Sequence, residues 1–253
     1  MKVSVLNLVP LRHGESFKDA MDAMVRLAKR VEDLGYTRYW IAEHHNMRSI
    51  ASSATQLLIQ HTLANTKKIR VGSGGVMLPN HSPYLIAEQY GTLETLYPNR
   101  VDLGLGRAPG TDVPTAMALR RTRDLKTDFE RDLAELSGYF KGSNYVQAYP
   151  AHGLYLPFYI LGSSTDSAYL AAKLGLPYSF AAHFAPTMME NAIAIYNRYF
   201  QPSAILDKPY VILGVNAILA DTDEEAKRLS TTMIQSFLNI VTSNQKGLMP
   251  PLQ

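Results

Sequence analysis

The sequence contains no cysteine among its 253 residues. A chain without thiols forms no disulfide, and it offers no thiolate to a zinc site, an iron–sulfur cluster or a covalent intermediate. No apolar stretch approaches the roughly 20 residues of a membrane helix, and Pro10 and Arg12 interrupt the apolar N-terminus before a signal-peptide core can form. We therefore expect a cytoplasmic protein that does not enter a membrane.

A strong excess of charge is also missing, since 25 Lys and Arg against 22 Asp and Glu leave a net charge of +3. That balance is too mild for a protein that binds nucleic acid electrostatically. Hydrophobic residues make up 46% of the chain and no low-complexity run occurs, which excludes intrinsic disorder. Because no linker or change of composition divides the sequence, we expect a single domain over residues 1–253.

Short apolar runs alternate with amphipathic segments along the chain. Val3–Leu8 has the length and the β-branched content of a buried strand, and the following segment repeats apolar residues at helical spacing until Gly35 ends it. The same alternation predicts further strands at 38–42, 69–72, 101–105, 158–161, 179–182 and 210–219. Predicted helices lie at 54–65, 84–96, 166–174, 187–200 and 223–241. Several helical stretches are predicted over 113–140, and 144–156 is predicted to be an inserted loop.

Seven strands separated by helices must run parallel, with right-handed crossovers. Both a barrel and an open doubly wound sheet satisfy that pattern. In either fold, ligands bind at the carboxyl ends of the strands.

Polar residues and glycines are concentrated at these predicted strand ends. The residues in question are Glu43, His44 and His45 after the second strand, Gly74 and Gly75 after the third, Arg107 after the fourth, and Gly162, Ser163, Ser164 and Ser167 after the fifth. Hydroxyl groups and free N–H groups at a helix N-terminus bind phosphate, and arginine adds a bidentate positive charge. The alternatives that involve no ligand are that the serines only cap the helix and that Arg107 forms a structural ion pair.

The remaining motifs are less specific. Adjacent histidines on an extended segment point to opposite sides, which disfavours a shared metal ion, so we predict no metal site; His44 and His45 could also belong to an ordinary surface loop. A glycine pair at a strand end favours close approach of a flat ligand or an unusual backbone conformation. The glycines at 104, 106 and 110 do not have the spacing of a dinucleotide-binding motif, and the sequence contains neither a P-loop nor a nucleophile elbow.

Three long motifs together resemble those of the bacterial luciferase-like flavin monooxygenases. They read YWIAEHHN at 39–46, RVGSGGVMLPNHSP at 70–83 and RVDLGLGRAPGTD at 100–112. Shorter matches at 87–90 and 171–177 extend the resemblance over nearly the whole chain.

The resemblance implies a (β/α)8 TIM barrel that binds reduced FMN, supplied by a separate flavin reductase. Oxygen would add at flavin C4a, and one oxygen atom would pass to a small organic substrate such as an aldehyde. Because only seven strands can be counted in this sequence, the last βα unit of such a barrel is expected to be missing from it.

The resemblance also assigns roles to individual residues. The flavin phosphate would be held by Arg107 and by the segment that contains Gly162, Ser163, Ser164 and Ser167. A non-prolyl cis peptide would lie at Gly74–Gly75, beside the flavin ring. His44 would be the acid or base near the reactive face, with Glu43 as its catalytic neighbour. The luciferase α-subunit has a reactive cysteine where this chain has Gly106, so light emission is not implied.

Two other functions stay open at this stage. A related family shares the barrel but uses a deazaflavin, coenzyme F420, although its larger tail needs a more basic phosphate loop than residues 163–167 provide. The second is a flavin-binding relative without catalytic turnover. The resemblance further implies a homodimer formed through the helices after the second and third strands, where Ala54, Leu57, Leu58 and Ala87 lie.

Overall fold

Seven parallel strands form one sheet in which each strand pairs with its neighbours in chain order. The computed structural model describes residues 1–108, 110–120, 126, 128–242, 244 and 246–253. The strands are β1 (Ser4–Asn7), β2 (Arg38–Ile41), β3 (Arg70–Met77), β4 (Val101–Gly106), β5 (Phe158–Gly162), β6 (Tyr178–Phe180) and β7 (Val211–Leu213).

Helices follow the strands and cover the outside of the sheet. They are α1 (Phe17–Asp33), α2 (Thr55–Asn65), α3 (Pro83–Leu96), α4 (Val113–Arg120), α5 (Phe129–Lys141), α6 (Thr165–Leu174), α7 (Met189–Tyr199) and α8 (Asp223–Val241). Short 3-10 turns at Leu78–Asn80 and Pro186–Met188 precede α3 and α7. The sequence pattern therefore predicted the order and type of the elements correctly.

The sheet is a curled half-barrel of the TIM type. A doubly wound sheet would reverse its strand order, whereas here β1 to β7 succeed one another without reversal. Arg38 on β2 also donates a hydrogen bond to the hydroxyl of Tyr210, which directly precedes β7. β2 and the residue before β7 thus approach one another across the interior, although β1 and β7 do not pair within the described part of the chain.

Several predicted boundaries were wrong. The predicted strand at 210–219 is only Val211–Leu213, and the last bond that joins it to β6 runs from the N–H of Gly214 to Phe180 O. The helical stretches predicted over 113–140 are α4 and α5, as expected; residues 121–125 and 127 lie outside the described residues. The third strand runs beyond residue 72, through Gly74–Gly75 to Met77.

The apolar core lies between the sheet and the helices, and α1 illustrates how the sequence builds it. Ser16 and Asp19 form a reciprocal capping box at its start, which satisfies backbone donors that the first turn leaves free. Met24 and Ala28, four residues apart, are then buried on one face. No described helix is long and apolar enough to cross a membrane.

Candidate active site

The loops after β2 and β4 meet at the carboxyl ends of the strands. The Nδ2 group of Asn46 donates to Asp112 Oδ2 at 2.8 Å, and the Thr111 hydroxyl donates to His45 O at 3.5 Å. These contacts bring together two of the predicted site segments, which are more than 60 residues apart in the chain.

The peptide bond between Gly74 and Gly75 is cis, as the resemblance implied. A Cβ atom on Gly74 would lie 2.9 Å from both Leu6 Cδ1 and Trp40 Cβ, and one on Gly75 would lie 2.8 Å from Gly104 O. These distances are below ordinary van der Waals contact, so no other residue fits at either position without displacing its neighbours. The packing inside the half-barrel therefore accounts for both glycines.

His44 is held by its backbone and has an unused ring nitrogen. Its N–H donates to Ser52 O at 3.1 Å, while Nδ1 is buried and has no hydrogen-bond partner among the described residues. Burial lowers the pKa of this imidazole, and the nearby Glu43 carboxylate only partly opposes that effect. The ring is consequently neutral at pH 7, with a polar atom available for a ligand.

Glu43 is buried and its carboxylate contacts two imidazoles. Its Oε1 lies 2.9 Å from His45 Nε2 and 2.6 Å from His81 Nε2, and its Oε2 accepts the Met77 N–H at 3.4 Å. Burial raises the pKa of Glu43, but the hydrogen bonds from the two histidines outweigh it and hold the pKa below its usual value. The three ligand-type atoms lie within 4.8 Å of one another, so this set could in principle hold a metal ion.

Sequence reasoning did not assign a role to His81. The residue stands inside the motif at 70–83, next to the predicted glycine pair, and that position was the available indication. Its pairing with Glu43 spans 38 residues and depends on how the segment after β3 folds back toward β2.

Arg107 connects the end of β4 to the first turn of α6. Its two terminal nitrogens lie 3.3 and 3.4 Å from Asp166 Oδ2, and both side chains are more than half exposed. Arg107 therefore does form a structural ion pair, which was the alternative to a phosphate-binding role. Because solvent screens an exposed pair, the guanidinium remains accessible to another anion.

The three serines at the start of α6 have different hydrogen-bonding surroundings. Ser164 occupies the position before the first turn, but its side chain makes no capping bond, and within the described residues the Ser163 hydroxyl is also unpaired. Ser167 is buried, and its hydroxyl lies 2.7 Å from Ser164 O and 3.1 Å from the Tyr178 hydroxyl. Ser163 and Ser164 are thus free to meet a ligand, whereas Ser167 points into the protein.

Gly162 provides the space that Ser167 needs. A Cβ atom on Gly162 would lie 2.1 Å from Ser167 Oγ and 2.4 Å from its Cβ. The glycine therefore supports the predicted phosphate loop by packing, and a role in contacting the cofactor stays a prediction.

A cleft of about 660 Å³ opens beside Arg107, between the starts of α5 and α6. Charged side chains from both helices border it, including Asp128, Arg131 and Asp166. His44 and Gly74–Gly75 are not among the residues that line it. Of the residues predicted to hold phosphate, Arg107 and Ser167 line this cleft, whereas Gly162, Ser163 and Ser164 do not. The predicted catalytic residue His44 lies in the loop after β2, and Gly74–Gly75 lie within β3.

A second half-buried imidazole follows β6. His183 Nδ1 has no hydrogen-bond partner in the described structure, and the ring packs edge-on against Phe184 with centroids 4.9 Å apart. Burial lowers the pKa of His183. The residue lies three positions after the end of β6.

The sequence of this chain is similar to those of known proteins. A family model described as luciferase-like monooxygenase matches residues 1–248. A luciferase-like monooxygenase of Escherichia coli strain K12 is 50% identical over 254 residues, which cover 99% of this chain and 76% of the relative.

Two solved structures share the fold. The crystal structure of apo-MsnO8 matches with a TM-score of 0.93 and 35% identity, covering 98% of this chain and 75% of the other. The oxygenating constituent of 3,6-diketocamphane monooxygenase from Pseudomonas putida, a type II Baeyer–Villiger monooxygenase in complex with FMN, matches with a TM-score of 0.76. It covers 96% of this chain and 75% of the other, and at 18% identity the likeness concerns the fold alone.

Proposed function

Because the chain belongs to the luciferase-like monooxygenase family, we propose that it uses reduced FMN and O2 to oxidise a small organic substrate such as an aldehyde. A separate flavin reductase supplies the reduced FMN. The balanced reaction for an aldehyde is FMNH2 + O2 + RCHO → FMN + RCOOH + H2O. Reduced FMN supplies two of the four electrons that reduce O2, and the aldehyde supplies the other two as it becomes the acid. This chain provides the binding site and the proton chemistry.

The observation that carries this proposal is the arrangement of donors around the start of α6. Arg107 reaches that helix from β4, and the hydroxyls of Ser163 and Ser164 are free at its N-terminus. The first N–H groups of an α-helix have no partner inside the helix, and the helix dipole adds positive potential there. This combination fits the dianionic phosphate of FMN.

The other end of the proposed site fits a flat, redox-active ring. Gly74 and Gly75 lie within β3 and present backbone without side chains, which permits a planar group to approach closely. His44 contributes an unpaired, buried Nδ1 in the adjacent loop. A ligand with its phosphate at Arg107 and its ring beside His44 would satisfy both sets of free groups.

His44 accepts or releases a proton at Nδ1 in this proposal. A general acid or base works best when its pKa lies near the working pH, and a neutral imidazole can act as a base at pH 7. The lowered pKa of His44 keeps that neutral form populated in mildly acidic solution as well. Its backbone bond to Ser52 holds the ring-bearing residue in place.

The test compares FMN with riboflavin, which has the same ring and no phosphate. Titration of the purified protein, followed by flavin fluorescence, is expected to show tighter binding of FMN. Arg107→Ala should weaken FMN binding about ten- to hundredfold, because a charge-assisted bond contributes about 1.5–3 kcal/mol. Riboflavin binding should not change.

Arg228→Ala is the matched control, because Arg228 also forms an exposed ion pair, with Glu225 on α8. Equal affinities for FMN and riboflavin would overturn the phosphate site, as would an unchanged FMN affinity in Arg107→Ala. Tighter binding of coenzyme F420 than of FMN would favour the deazaflavin enzyme instead. Incorporation of one atom of ¹⁸O from ¹⁸O2 into the acid product, with reductase and aldehyde present, tests the reaction itself.

A further inference from the structure

Glu43 lies at the centre of a cluster whose members come from two separate segments. Glu43 and His45 follow β2, whereas His81 directly follows the 3-10 turn after β3. The same carboxylate oxygen lies within hydrogen-bond distance of both imidazoles, at 2.9 and 2.6 Å. The backbone N–H of Met77, the last residue of β3, donates to the other oxygen.

The protonation states of this cluster follow from its geometry. Glu43 is 1% exposed, and a buried carboxylate must find donors for its oxygens. A neutral imidazole donates from only one ring nitrogen, so two donors to one oxygen require both histidines to carry the proton on Nε2. The carboxylate then has three donors, and both histidine rings are fixed in orientation.

His44 is the residue between two members of this cluster. Its neighbours on either side, Glu43 and His45, are both anchored by their side chains, and its own N–H bonds to Ser52. Three consecutive residues are thus fixed at one strand end. Through Met77 and His81 the cluster also ties this segment to the end of β3 and to the segment that follows it.

We infer that Glu43, His45 and His81 form a positioning cluster that fixes the imidazole of His44 at the mouth of the half-barrel. Glu43 acts through the two histidines and does not itself touch the substrate. The role of His44 in turnover rests on the proposed function, whereas the cluster and its effect on His44 do not.

The experiment uses ¹⁵N-labelled, flavin-free protein and the NMR signals of the histidine rings. The wild type is expected to show hydrogen-bonded Nε2–H protons for both His45 and His81, assigned by substitution. His81→Phe should remove one donor, shift the remaining His45 signal, and shift or broaden the His44 ring signals. His81→Gln keeps an N–H donor of similar reach and should leave the His44 signals close to those of the wild type.

His61→Phe provides the matched control, since His61 is exposed on α2 and far along the chain from the cluster. It should not shift the signals of His44 or His45. If His81→Phe likewise leaves the His44 signals unchanged, or if Nε2 of either cluster histidine carries no proton, the proposal is overturned. These signals do not require flavin binding, so a failed flavin titration leaves the result interpretable.

Two further measurements distinguish a positioning cluster from a metal centre and from a group with a purely structural role. Titration with Zn²⁺ tests the metal alternative, because stoichiometric loss of both Nε2–H signals would make the three residues a metal centre and overturn the proposal. In flavin-coupled turnover, His81→Phe should lower kcat by more than tenfold with KM little changed, and His81→Gln should restore most of it. A fall in thermal stability without this kinetic difference would contradict a positioning role.

Discussion

Arg38 and Asp102 form a buried ion pair across the interior of the half-barrel, with Arg38 Nε 3.0 Å from Asp102 Oδ2. Arg70 on β3 approaches the same carboxylate, its Nη2 atom lying 2.6 Å from Oδ1. Arg38 also donates to the hydroxyls of Tyr159 and Tyr210. One buried carboxylate therefore organises side chains from β2, β3 and β5 and from the residue before β7.

The first prediction concerns this network. Asp102→Asn should lower the free energy of unfolding by about 3 kcal/mol, because it leaves two guanidinium groups beside a neutral amide in a mostly buried site. Asp22→Asn, which breaks the exposed pair with Lys18, should change stability by less than about 0.5 kcal/mol. Urea denaturation measures both, and equal effects in the two variants would show that the buried network does not stabilise the fold.

The second prediction separates two serines that the sequence grouped together. Ser167→Ala should cost about 1 kcal/mol of stability, because the Ser167 hydroxyl bonds inside the protein to Ser164 O and Tyr178. Ser164→Ala should leave stability unchanged and weaken FMN binding about fivefold. The reverse pattern, in thermal unfolding and FMN titration, would place the ligand at Ser167 instead.

The third prediction is a pH dependence of stability. The pKa of His44 is lowered by burial in the folded state, so below the ordinary pKa of about 6.5 the unfolded chain binds more protons at this residue. Stability should therefore fall as the pH decreases below about 6.5. His44→Gln should reduce the difference between the unfolding free energies at pH 7.5 and 5.5, and the exposed His61→Gln should not. His183, whose pKa is lowered in the same way, accounts for part of the difference that remains.

The fourth prediction tests the proposed homodimer. We propose that copies associate through α2 and α3, where Leu57 is 70% exposed and Leu85 is 52% exposed. Ala54 is also exposed, but Leu58 and Ala87, which were expected to contribute to the same interface, are buried in the core. Leu57→Glu should shift sedimentation from dimer to monomer, whereas Leu174→Glu on α6 should not. A monomeric wild-type protein would refute the interface.

The phosphate loop shows how far sequence reasoning reached and where it stopped. The structure brings Arg107 to the first turn of α6, where it contacts Asp166, because parallel strands bring their carboxyl ends to one edge. That Arg107 and Ser164 hold a phosphate stays a prediction. The inward direction of Ser167 was not predictable, since it depends on the space left by Gly162 and on the Tyr178 hydroxyl from β6. The length of β7 was overestimated because an apolar run does not reveal where the chain leaves its neighbouring strand.

The sequence by itself determined the order of strands and helices, since their periodic patterns depend on residues only a few positions apart. It also determined which segments carry polar groups at the strand ends, and the resemblance of those segments assigned the family. Only the tertiary structure decided that Glu43 pairs with His81 and that Asp102 joins Arg38, across 38 and 64 residues. Such pairings depend on the curvature of the sheet and on burial, which remove water and make each carboxylate find its donors within the protein.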